Sequence, residues 1–191
     1  AVKSGGHPHR NLKDIEELIG ASGLSESVKM KTLDMFARIA RAEAKVHDKP
    51  LYEVHFHEVG AVDSLVDIAG AAIALDFLQA DMILSSSVQV GGGFVSCTHG
   101  LLPVPAPATA ELLSGIPIKT NLVPYETTTP TGAAILASYV EAFTDEMAFT
   151  VLKTGYGLGT RELELPNVLR VYRGEPFYDF QTDEKVLLET N

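Results

Sequence analysis

The chain has 191 residues, of which 46% are hydrophobic and 21% charged, enough apolar material for a real core and too much for wholesale disorder, collagen or a disulfide-stapled miniature. With 25 acidic against 15 basic side chains the formal charge is -10, which repels phosphate backbones and argues against nucleic acid as the main partner. A single cysteine makes no internal disulfide, which suits a reducing cytoplasm.

Residues 1–10 are polar, with Gly5-Gly6 and His7-Pro8-His9, and read as a flexible N-terminal segment. Asn11 is placed to cap a helix carrying Leu12, Ile15, Leu18 and Ile19 and ending at Gly20. A second helix is expected from Ser25 to about Val46, burying Leu33, Phe36, Ile39 and Ala40. His47, late in that helix, is favoured there by the helix dipole. Pro50 suits the first turn of a short helix through Val54. A third helix is expected from about Asp63 to Phe77, apolar on most sides and therefore central and well buried. Val59 to Leu78 is the most apolar stretch, but Asp63, Asp67 and Asp76 make it costly as a membrane crossing.

Met82 to Val90 reads as a strand ended by Gly91-Gly92-Gly93. Pro103, Pro105 and Pro107 mark an extended approach to a helix from about Ala106 to Ser114. Strands are expected at Ile116 to Leu122, Met147 to Thr154 and Val168 to Arg173, with a helix from Ala133 to Ala142. Helices and strands alternate, so the fold class is α/β or α+β, with several helices packed on a mixed sheet of about four or more strands. Residues 11–174 read as one domain, and 175–191 as an acidic linker into a further, truncated domain.

The strongest chemical constellation is His55-Phe56-His57-Glu58. On an extended segment the two imidazoles share a face and can reach one ion. Imidazole and carboxylate suit zinc, nickel, iron or cobalt, with Glu58 as a third ligand or a base. Asp63 and Asp67, at i and i+4 on the next helix, can complete such a site or orient the histidines. The competing reading makes the histidines partners of buried backbone and the aspartates helix caps. Cys97 and His99, two apart, are a second donor pair, against the plainer reading of a small buried thiol beside a loop histidine. Thr128, Thr129, Thr131 and Gly132 stand at a helix start, where free N–H groups and hydroxyls suit an anion or serve as a simple cap. The glycine runs at 91–93 and 155–159 lack the spacing of nucleotide-binding motifs.

Several of these segments, in this order, resemble the LarC family. They are His55-Phe56-His57-Glu58-Val59-Gly60-Ala61-Val62-Asp63-Ser64 with Val66-Asp67-Ile68, the run Gly100 to Thr109, Thr127 to Ala134, and Gly155-Tyr156-Gly157 through Arg170. The likeness runs from about His9 to Asn191. It implies insertion of nickel into a pyridinium bis-thiocarboxylate mononucleotide, giving the nickel-pincer cofactor of lactate racemase. It further implies CTP and manganese or magnesium on a C-terminal domain that begins near Val186–Asn191 and is cut off, a homo-oligomer at full length, and a family N-terminus that this chain lacks. On that reading the chain alone is inactive or nearly so. Nickel donors are expected among His55, His57, Glu58, Cys97 and His99; the base is Glu58 or Asp63; the phosphate anchor is Thr128, Thr129, Thr131 and Gly132. The rival functions are a nickel-binding chaperone module without catalysis, a metal-dependent hydrolase, and a purely structural domain.

Overall fold

The computed structural model describes residues 10–56, 62–97, 99–160 and 162–176. The chain divides into two compact units, residues 1–145 and 146–191.

The first unit begins with helix α1, Leu12–Gly20. Asn11 caps it reciprocally: the Asp14 amide donates to Asn11 Oδ1 and the Asn11 amide to Asp14 Oδ2, both at 3.0 Å. Helix α2, Glu26–His47, starts at the Ser25 cap and stops where Asp48 turns left-handed at φ 50°. It is the spine of the unit. Val28, Thr32, Met35, Phe36, Ile39, Ala40 and Ala42 are buried along it, and α1, α3, α4 and α5 all pack against it. Thr32 is tolerated inside because its hydroxyl donates to the Val28 carbonyl at 2.8 Å.

A single 3-10 turn, Leu51–Glu53, follows Pro50, shorter than the helix expected there. Helix α3, Val62–Leu78, buries Leu65, Ile68 and Ala72. The expectation of a central, well buried helix fails here: Val66 is 64% exposed and Phe77 83%. An all-round apolar sequence does not name the face that packs. The contacts with α2 and α5 select one face of α3.

The expected strand at Met82 to Val90 is two strands, β1 (Leu84–Ser85) and β2 (Val88–Gly91). Next come β3 (Phe94–Cys97) and β4 (Gly100–Pro103), an antiparallel hairpin that pairs Cys97 with Gly100. Helix α4 spans Pro107–Leu112, β5 Ile118–Thr120, α5 Pro130–Tyr139 and β6 Ala142–Phe143. β1 pairs in parallel with β6, and β2 with β5. The strands of the described residues thus lie in four two-stranded sheets, a mixed α/β architecture.

Asp145 ties these short pairs together. Its carboxylate accepts from the Ser87 amide and hydroxyl, each at 3.0 Å, and from Lys119 Nζ at 2.8 Å. The Lys119 bond first, and the two Ser87 bonds next, hold its carboxyl below the ordinary value of 3.8. A depressed folded value means that this stabilisation is present above the unfolded value and is lost as pH falls through the folded one. Asp145→Asn is therefore expected to be less stable than the parent in urea unfolding at about pH 6, with the gap closing by about pH 2.5. A gap that does not change with pH would remove Asp145 from the acid response.

The second unit is a long antiparallel hairpin, β7 (Phe149–Leu158) with β8 (Val168–Pro176). Arg170 lies over the Tyr156 and Tyr172 rings, 5.6 and 5.9 Å from their centroids.

Candidate functional site

Residues 54 to 56 alternate as an extended segment should. Val54 and Phe56 are buried at 3% and 2%, and His55 between them is exposed. The segment is held at both levels of structure. His55 bridges to Asn11, the Phe56 amide donates to the Arg10 carbonyl at 3.0 Å, and the Phe56 ring meets Phe36 edge-on at 5.9 Å. His57 and Glu58 lie outside the described residues. Asp63 and Asp67 are exposed on the first turns of α3.

Cys97 closes β3 as a half-buried free thiol, and His99 follows in the hairpin connection. The His99 ring lies against His47 in the last turn of α2, with ring centroids 4.8 Å apart and planes tilted by 47°. His47 Nε2 is 3.3 Å from a carboxylate oxygen of Glu43, one turn earlier on the same helix. Neither His47 nor Glu43 stands out as a site residue in the sequence. Glu43 and His47 share the i, i+4 spacing, but no local signal ties them to His99. Among the described residues no group of three or more histidine, cysteine, aspartate or glutamate side chains is assembled closely enough to hold a metal ion.

The threonine segment is built onto β2. Thr127 and Thr128 hydroxyls both donate to the Gln89 carbonyl, at 2.7 and 2.6 Å. Thr129 caps α5 by accepting from the Gly132 amide at 3.3 Å. Thr128 and Gly132 therefore spend their hydrogens inside the protein. Thr131, half-buried in the first turn of α5, keeps its hydroxyl hydrogen uncommitted among the described residues.

A shallow cleft of about 360 Å³ lies between α2, α4 and α5, and Arg38, Arg41 and Lys45 line it from α2. Lys45 pairs with Glu111 at 2.7 Å, and Arg38 with Asp34 at 2.8 Å. Burial pushes the Asp34 carboxyl up. The hydrogen bonds from Arg38 and Ser138 and the charges of Arg38 and Arg41 outweigh it and hold the group below its ordinary value. No helix of the described residues is long and apolar enough to cross a membrane.

A family model described as nickel insertion protein matches residues 1–191. The chain is 60% identical over 182 residues to the pyridinium-3,5-bisthiocarboxylic acid mononucleotide nickel insertion protein of Clostridium kluyveri, covering 95% of this chain and 46% of that one. To the protein of the same name from Clostridium acetobutylicum it is 60% identical over 180 residues, 94% of this chain and 43% of the relative. The same name belongs to a Desulfitobacterium hafniense protein, 49% identical over 170 residues, 89% of this chain and 42% of the relative. The chain thus spans under half the length of these curated relatives. No solved structure matches it. On a match that runs the length of the sequence, the chain belongs to the nickel insertion protein family.

Proposed function

We propose that this chain is the part of a nickel insertion enzyme that holds nickel and the pyridinium-3,5-bisthiocarboxylic acid mononucleotide while the metal is placed between its sulfurs. The observation that carries the reading is 60% identity, over 95% of the chain, to a relative named for that reaction. Nickel is the substrate metal, and borderline donors that bind and release suit it. His55, His57 and Glu58 are the first donor set, and Cys97 with His99 the second. Replacing a ring C–H proton by nickel needs a base, and Glu58 or Asp63 fills that role. The phosphate of the mononucleotide is assigned to the α5 start, where Thr128, Thr129 and Gly132 shape the turn through bonds inside the protein and Thr131 faces the anion. There Thr131 has a hydroxyl hydrogen to give, and the helix end favours an anion. CTP, with manganese or magnesium, drives the reaction in the full-length protein, which works as a cytoplasmic homo-oligomer and passes its product to lactate racemase.

The test is calorimetric titration of nickel into the chain and into a His55→Ala/His57→Ala variant, with and without the mononucleotide. The mononucleotide is expected to tighten nickel binding at least about tenfold in the parent, and the variant to lose that gain. Nickel affinity indifferent to the mononucleotide would replace this reading with a metal-binding module that does not recognise the acceptor.

A further inference from the structure

We propose that the cleft between α2, α4 and α5 is an anion site for the phosphoryl group of a small molecule, separate from the α5 start and from the nickel donors. Arg38, Arg41 and Lys45 follow one another at three and four residues along α2, so one face of that helix carries three cations to the cleft they line. Two of them have local counter-charges. Arg38 Nε donates to Asp34 at 2.8 Å, and Lys45 Nζ donates to Glu111, the carboxylate of the lining, at 2.7 Å. Each bond commits a single donor, so the terminal N–H groups of Arg38 and further hydrogens of Lys45 are left for a ligand. Arg41 makes no hydrogen bond or ion pair among the described residues, and only its charge is felt, at Asp34. The Ser114 hydroxyl, in the lining just past α4, has no partner among the described residues either.

Size and chemistry narrow the ligand. The volume of about 360 Å³ exceeds what a bare ion needs and matches the space a small molecule takes. Ala42, Leu112 and Ala137 give the lining an apolar part, which suits the carbon body that carries the charged group. A phosphoryl group offers several oxygens to donors on separate side chains, and guanidinium forks match that geometry better than they match a lone carboxylate held by one partner. Plainer explanations account for less. Solvation of an exposed helix face explains cations on α2, and pairing with Asp34 and Glu111 explains two of them. Neither explains an unpaired guanidinium beside an apolar-walled cleft in a chain of formal charge -10, where carboxylates are in excess.

The experiment titrates inorganic phosphate and ribose 5-phosphate into the ¹⁵N-arginine-labelled chain and follows the side-chain Nε–H signals by NMR. Succinate at matched ionic strength is the carboxylate control. Saturable shifts are expected at Arg38 and Arg41 with both phosphates, with ribose 5-phosphate the tighter ligand. Arg41→Gln should weaken binding, read at the Arg38 signal, at least about tenfold, and Arg41→Lys should recover part of the loss. Thr131→Val should leave the arginine response as in the parent. The site is refuted if neither phosphate gives a saturable shift at Arg41 of the unaltered chain, a result that depends on no variant folding. It is equally refuted if succinate shifts the same signals as strongly, which would make the cleft a general cationic patch. A response abolished by Thr131→Val and kept in Arg41→Gln would give the phosphate to the α5 start instead. Mononucleotide-dependent nickel affinity is a separate readout, so the insertion reading stands or falls apart from this one.

Discussion

Gly91→Ala is expected to destabilise the first unit by about 2–4 kcal/mol, read as a lower urea midpoint with an unchanged slope. Gly91 has φ +79°, a conformation that costs an L side chain energy before any contact is counted. A Cβ built there would run into the Tyr125 carbonyl oxygen, which is backbone and cannot swing aside. The close approach has a purpose in the fold. The Asn121 amide donates to the Gly91 carbonyl at 2.8 Å, the Thr127 amide to Val90 at 3.2 Å, and Glu126 bridges to Gly91. Residues 121–127 thus run along β2, and Thr127 and Thr128 add their hydroxyls to Gln89. Forcing this segment away from β2 moves the start of α5, so under the proposed phosphate assignment mononucleotide affinity should fall together with stability. Gly23→Ala is the control, because nothing lies within 4 Å of a Cβ at that position. A Gly91→Ala midpoint equal to that of Gly23→Ala would show that the strand–segment contact carries no energy.

The parts of the fold that read directly from sequence are those with local causes. Asn11 and Ser25 are short polar residues that cap helices whose apolar spacing is regular, and α1 and α2 begin where those residues say. The β3–β4 hairpin did not read, because the glycines of 91–93 look like a terminator and Pro103 like a breaker. In fact Pro103 ends β4, where its missing N–H costs little. The parallel pairings β1–β6 and β2–β5 are set by contacts across long stretches of chain, and no local pattern encodes them. The site divides in the same way. His55 was legible because its spacing to His57 is local and its burial alternates with that of Val54 and Phe56. The His47–His99 ring contact was not, because it joins the last turn of α2 to the distant β3–β4 connection.

Phe56→Ala is expected to cost about 3–5 kcal/mol, a large share of the stability of a domain this size. Phe56 is 2% exposed and Phe36 0%, and their edge-on contact joins the segment before residue 57 to the centre of α2. Truncation deletes the ring and leaves a cavity beside Phe36 of the spine helix, which a close-packed core can fill only in part. The functional consequence follows from the alternation. His55 is outward because Val54 and Phe56 are inward, and its backbone is tied to the strand-like stretch at Arg10 and Asn11 through the Phe56 amide. Remove the anchor and the histidine keeps its chemistry but loses its fixed position, so nickel binding through the proposed donor set should weaken by the cost of ordering it again. Urea unfolding gives the stability loss, and nickel titration of the folded fraction at low temperature gives the second effect. Phe56→Leu separates the two, because it keeps most of the buried volume and should retain both stability and affinity to within about tenfold. If Phe56→Ala lost the expected stability yet bound nickel like the parent, the Phe36–Phe56 contact would not position the proposed donor His55.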